Sequence, residues 1–506
     1  MTSERPLKRS TFLAAAAVIL LVALVLRLIG LSRSFWLDEA YTSWFSALPL
    51  RELWGDVPSY ETHPPMYYTI VHLWRMVAGS SDWALRAPSV IAGVLTVLLV
   101  LFSGRLLRLG PKGDALSLVG GLLLAINAGH IDLSQTARPY GIQTLTASIT
   151  LMASLVLLRL WSSEIYGARS RSVEWMAAVA MAVSGGLTLW LHNTSVFITL
   201  AIWGSLFVCT LLFMRRQIGH VFVVLLITGV GALAIWGPFI PTLAAQSAAM
   251  SKMSFWLTFE WWRLVELAIM VGGGKYAVMA TILLAAAGTG ALLLGPYRSF
   301  AVHLVVVIAV PVAAMVLLSL LSRPVFLPRL LQWITPACLM LAATCLILVP
   351  HRLLRMALVA VTVGLTGAAL PRYYASEKEP WIDATSALSE RAEPGDVVIA
   401  FPNELLTVFD FYRDRVPAGT TVTYLPGPFP YRDANRVFIG NLGAPRLEPT
   451  DAETVRAVAA RHGRVWLVYR GETLYDPTDI IRTTLGGIRT LKSTDIFGNI
   501  TIELYE

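Results

Sequence analysis

Charge is what this sequence has least of. Only 14% of its 506 residues are Asp, Glu, Lys or Arg, against roughly a quarter in a soluble globular chain. The shortage lies almost entirely before residue 371, where apolar runs recur that are long enough to cross a bilayer, for which roughly 20 residues suffice. Cysteine is scarce as well. The three present, Cys209, Cys338 and Cys345, fall inside those runs, so no disulfide framework follows. The net charge of +8 is scattered over short loops, which reads as membrane topology and not as a nucleic-acid surface.

What is present is a polytopic α-helical membrane domain, residues 1–370, followed by a soluble α/β domain, residues 371–506. Eleven spans can be laid out: 11–30, 84–107, 115–132, 139–160, 174–191, 194–213, 221–241, 276–294, 300–321, 330–349 and 353–370. The first run could pass for a signal peptide, but it is long and lacks a small-residue cleavage site near Leu24–Arg27, so a retained span is expected. Basic loops sit on one side: Arg5/Lys8/Arg9, Arg105/Arg108/Lys112, Arg159/Arg169/Arg171, Arg215/Arg216, Arg298 and Arg352/Arg355. The positive-inside rule therefore predicts a cytoplasmic N-terminus, and an odd number of spans predicts an outer tail. The expected location is the inner (plasma) membrane.

Two loops on the opposite side exceed what a connection needs. Residues 31–83 carry six acids among many aromatics, and short interfacial helices are expected near Ala40–Leu53 and Met66–Val77. Residues 242–275 hold the aromatic stretch Met250–Trp262, which suits an interfacial belt or a lid over a lipid-facing groove. In the tail, helices are expected at Trp381–Ala392, Asn403–Tyr412 and Asp451–His462. Strands are expected at Asp396–Phe401, Thr420–Leu425, Arg436–Gly440 and Val465–Tyr469, with two more around Phe497-Gly498-Asn499. The tail has no GxGxxG, no P-loop and no metal-type cysteine spacing, and no chemistry is assigned to it.

The chemistry-bearing residues lie at the ends of spans. Asp38 and Glu39 follow the first span directly; a carboxylate there could take a proton from an incoming hydroxyl, the work of a general base, or be an ordinary solvated acid. His63-Pro64-Pro65 and Tyr67 close the same loop, and the two prolines fix the backbone that holds them. Arg138 and Tyr140 occupy a short outer loop. A guanidinium between apolar spans is costly unless paired or bound to an anion, and phosphate is its natural partner. Lys275, Arg323 and Arg329 are further cations at span ends. Acids and cations thus share one face, as a lipid-phosphate sugar would require: a base for the acceptor and cations for the departing phosphate. His63 with the two acids could hold a divalent metal, although no spacing compels one.

At these residues the chain resembles the GT-C class of membrane glycosyltransferases, in its bacterial family 39-like branch related to protein O-mannosyltransferases and aminoarabinose transferases. The resemblance rests on Trp36-Leu-Asp-Glu-Ala40, His63-Pro-Pro-Met-Tyr-Tyr68, Leu85-Arg-Ala-Pro-Ser89 and Ala137-Arg-Pro-Tyr140, and it covers roughly residues 11–370. It implies a polyprenyl-phosphate sugar donor and a glycan, glycolipid or protein acceptor. Asp38 would be the base, assisted by Glu39, with Arg138, Arg329 and Lys275 toward the donor phosphate and His63, Tyr67 and Tyr140 positioning substrate. Inversion at the anomeric carbon of a hexose or pentose is the implied stereochemistry. Leu330 stands where many members have tyrosine. A competing class, a lipid or solute transporter, would favour charges in mid-span and broken helices.

Overall fold

The computed structural model describes residues 8–162, 171–249, 253–254, 258–433 and 435–506. Arg5 and Arg169 of the basic loops, and Met250, Phe255 and Trp256 of the aromatic stretch, lie outside the described residues. Compactness divides the chain into two units. One comprises residues 1–31, 86–240 and 259–375; the other comprises 32–85, 241–258 and 376–506. The long loop after the first span is thus grouped with the tail, where the sequence reading set a single cut after residue 370.

In the first unit the apolar runs are helices. Among the described residues of the chain, nine helices are long and apolar enough to cross a membrane: Arg9–Leu28, Asp82–Leu106, Tyr140–Ser162, Arg171–Leu191, Ser195–Phe213, Arg215–Ala249, Arg298–Leu321, Pro328–Leu348 and Arg352–Tyr374. The remaining two of the eleven expected spans take other forms. Val278–Leu293 is apolar but has only 16 residues. The run expected as one span over 115–132 is a pair, Pro111–Ala125 and Ala128–Ser134, bent by 64°. Leu283, Val179 and Leu21 are among many large apolar side chains left exposed, as lipid-facing surfaces require. Pro328–Leu348, by contrast, is mostly buried among its neighbours.

The break at Ile126-Asn127 has identifiable partners for the backbone groups that it frees. Asn127 caps the second segment, its side-chain oxygen accepting from the His130 N–H at 2.8 Å, while its amide donates to Val271 O at 2.9 Å. At the preceding C-terminus, Arg27 donates to Ala125 O at 3.1 Å and Leu124 O at 3.4 Å. A cation at a helix C-terminus also answers the partial negative charge there. Arg27 additionally bonds Ala23 O at 2.9 Å and His130 Nδ1 at 2.6 Å. Gln135 serves the first span similarly, donating to Arg27 O at 3.0 Å and Ile29 O at 2.6 Å and accepting from Tyr373 at 2.6 Å. Gly273, at φ +84°, lies so close to Asn127 that a Cβ would stand 2.9 Å from its amide nitrogen.

The second unit contains a five-stranded sheet in the order 421–424, 397–401, 465–470, 500–505, 491–497. The first three strands are parallel and the last two antiparallel. Val397–Phe401 is buried throughout and Val465–Arg470 nearly so, which accounts for their continuous apolar sequences: both faces are covered. The last two strands form a hairpin through Gly498-Asn499, with Gly498 at φ +60°, the conformation that such tight turns demand. Helices Trp381–Arg391, Leu405–Phe411 and Asp451–Ala460 fall where the sequence placed them. Helix Ile480–Gly486 was not anticipated. Trp381 and Trp466 are fully buried, and each indole N–H finds a carboxylate, Glu379 and Asp396, both at 2.8 Å, as a buried ring of this kind requires.

Candidate active site

Asp38 and Glu39 stand in the first turn of helix Leu37–Ala47, not in an irregular loop. Trp36 enters it extended, and no side chain of the local sequence caps it. The Leu37 N–H instead donates to Glu379 Oε2 at 3.1 Å, so a carboxylate more than 300 residues away closes the helix start. Acidic residues in a first turn are favoured by the helix dipole. Glu39 is buried and Asp38 half-buried.

Behind this helix lies a network of buried polar groups. Glu379 pairs with Arg470 at 2.6 Å. Glu404 accepts from the Tyr41 hydroxyl, from Tyr475 OH at 2.5 Å and from the Asn441 amide at 2.8 Å. Burial pushes the Glu404 carboxyl above the usual range, even though these hydrogen bonds favour its charged form. Burial, and then the neighbouring Glu404, push the Tyr41 and Tyr475 hydroxyls well up. Burial acts to lower the Arg470 guanidinium, but Glu379, then Glu404 and Asp38, together hold it above its ordinary value. Asp38 therefore lies within electrostatic reach of a fixed cation, and Tyr41, one turn further along its helix, is tied to Glu404.

His63 belongs to the same unit, before helix Met66–Ala78. Its ring and its backbone N–H, the latter at 2.9 Å, both bond the buried Glu61 carboxylate. Tyr67 is buried in the helix that follows. That helix packs on Leu37–Ala47, with the Tyr68 and Phe45 rings 4.8 Å apart. Among the described residues no three His, Cys, Asp or Glu side chains form a metal-binding group, and His63 pairs with Glu61.

The cations belong to the other unit. Arg138 is buried, with its carbonyl accepting from Ser89 Oγ at 3.2 Å. Tyr140 opens helix Tyr140–Ser162, and its ring lies 6.4 Å from that of His192. This helix packs against the short 3-10 helix Pro328–Ile334, which carries Arg329, so Arg138, Tyr140 and Arg329 come from adjoining elements. Lys275 is exposed, with its ammonium 4.9 Å from the centre of the Tyr276 ring. It occupies the turn between helices Trp262–Gly272 and Val278–Leu293.

Sequence reasoning missed Arg27, His130, Glu379, Glu404 and Arg470. Arg27 had left a signal, since a lone cation inside an apolar span must find partners. The buried acids had left none, because the sequence does not distinguish Glu404 from the exposed acids of the tail.

No family model matches the sequence, and no curated protein is similar to it. Solved structures are. ArnT from Cupriavidus metallidurans, bound to undecaprenyl phosphate, superposes with a TM-score of 0.61 at 14% identity, covering 98% of this chain and 97% of that one. The archaeal oligosaccharyltransferase AglB from Archaeoglobus fulgidus, in complex with an inhibitory peptide and a dolichol-phosphate, gives 0.56 at 13% identity over 94% and 72%. At such identities the likeness is one of fold, and over nearly its whole length the chain has the GT-C fold.

Proposed function

We propose that the protein is a glycosyltransferase that moves a sugar from a polyprenyl-phosphate donor to an acceptor hydroxyl at the outer face of the membrane. The observation that carries this reading is the likeness of nearly the whole chain to ArnT, a protein solved with undecaprenyl phosphate. In the proposed step Asp38 removes the acceptor proton, and the oxygen lone pair attacks the anomeric carbon from the face opposite the phosphate. The bond from that carbon to the phosphate oxygen breaks, and the electron pair leaves with the lipid phosphate. One displacement inverts the anomeric centre. Arg138 and Arg329, with Lys275, answer the charge on the departing phosphate, while Glu39, His63, Tyr67 and Tyr140 orient the substrates.

The transporter reading draws support from one observation, the bent helix pair beside buried Arg27 and His130. The same experiment separates the two. Purified wild type and Asp38→Asn are each incubated with radiolabelled polyprenyl-phosphate sugars, hexose and pentose, together with a membrane extract. Loss of about 10²–10⁴-fold in transfer is expected for a general base, with donor binding kept, and the productive donor names the sugar. Equal transfer by both proteins would remove Asp38 from the mechanism. No transfer and no donor binding by the wild type would remove the transferase.

A further inference from the structure

The membrane unit contains a cavity of about 940 Å³. Its walls are apolar, formed by Leu99, Leu151, Leu155, Leu304, Met340 and Ile347 among others, and none of the residues proposed for catalysis or donor binding lines it. On helix Thr335–Leu348 the lining residues are Pro336, Ala337, Met340, Thr344, Ile347 and Leu348. Ala337, Met340, Thr344 and Ile347 are spaced three or four apart, so the cavity follows one face of that helix along its length. The twelve steps from Pro336 to Leu348, at 1.5 Å rise each, make that face roughly 18 Å long, comparable to one leaflet of a ~30 Å hydrocarbon core. Past Leu348 the lining continues through Val349 and Pro350 to Arg355, in the first turn of Arg352–Gly367, and it also includes Lys112, exposed in the first turn of Pro111–Ala125, and Tyr297.

An apolar groove one leaflet long with two cations in its lining is complementary to an amphiphile with an anionic head. Basic pockets between membrane helices bind anionic lipid head groups in this way. Lys112 and Arg355 also belong to the basic loop set, which points to the lipids of the leaflet on that side, not to a donor held near Arg138. We propose that this cavity is a binding site for an anionic glycerophospholipid of the surrounding membrane, its acyl chain against Leu151 and Met340 and its phosphate between Lys112 and Arg355. The site is separate from the proposed transfer chemistry and does not depend on it.

The test is native mass spectrometry of the full chain in detergent, titrated with phosphatidylglycerol, phosphatidylcholine and undecaprenyl phosphate. Two variants accompany the wild type: the charge variant Lys112→Gln/Arg355→Gln, and Met152→Trp, which fills the cavity from its wall. The wild type is expected to hold phosphatidylglycerol about 10–30-fold more tightly than phosphatidylcholine, given two surface cations. The charge variant should lose that preference, and Met152→Trp should lose both phospholipids. Undecaprenyl phosphate binding should be unchanged in both variants. Equal phosphatidylglycerol binding by wild type and charge variant would overturn the proposal. Selective loss of undecaprenyl phosphate from the variants would overturn it too, by making the donor lipid the occupant.

Discussion

Replacing Glu379 by alanine tests whether the start of the helix bearing Asp38 is held from the sheet unit as the contacts indicate. The substitution removes three things together. It takes away the partner of Arg470, 2.6 Å distant, the acceptor of the Leu37 N–H at 3.1 Å, and the acceptor of the Trp381 indole N–H at 2.8 Å. Glu379 is buried, so water cannot readily replace it. Breaking a buried ion pair from one side costs about 3–5 kcal/mol, because the remaining charge keeps its desolvation cost and loses its partner. At 1.36 kcal/mol per factor of ten, local opening should become about 10²–10⁴-fold more frequent. Amide hydrogen exchange followed by mass spectrometry reads this directly on a peptide covering helix Leu37–Ala47. Arg470→Met alone should also destabilise, and the double variant should be less destabilised than the two single changes added together, by about 1.5 kcal/mol or more. If exchange in Leu37–Ala47 changed less than threefold in Glu379→Ala, or if the two substitutions were additive, the ion pair would not hold this helix.

Three further outcomes are expected. The buried Glu404 carboxyl is raised above its ordinary range, so the native state binds its proton more tightly than the unfolded chain does. Its contribution is therefore full below the usual glutamate value of about 4.3 and is lost as pH rises through the raised value; denaturant titrations should find this decline in the wild type and not in Glu404→Gln. Arg27→Met leaves the Leu124 and Ala125 carbonyls without their charged donor and should cost about 2–4 kcal/mol, seen as faster exchange in a peptide spanning the break at Ile126-Asn127. Gly288→Ala would put a Cβ 2.0 Å from Leu341 O, forcing apart two helices that pack together, at about 1–3 kcal/mol. Thermal unfolding should show that loss, while Gly290→Ala, with nothing within 4 Å, should be neutral or stabilising.

Whatever depends on local periodicity was legible in the sequence. Apolar runs fixed where helices lie because the backbone must satisfy itself within a bilayer, and continuous apolar pentapeptides marked the strands at Val397–Phe401 and Val465–Arg470. Asp38, His63, Arg138 and Tyr140 stood out because polar groups beside spans need a reason to be there. Hydropathy did not place the break after Ile126: the polar residues Asn127, His130 and Asp132 that follow it read as the outer end of one span. What permits it is the local cap made by Asn127 together with the groups that Arg27 and Val271 bring from distant parts of the chain. The same holds for Asp38: sequence marked the acid, but only the tertiary structure placed it at a helix start closed by Glu379, within reach of Arg470 and beside a tyrosine bound to Glu404. A buried carboxylate is tolerated only with its partners, and partners more than 300 residues away are brought together by folding, not by spacing.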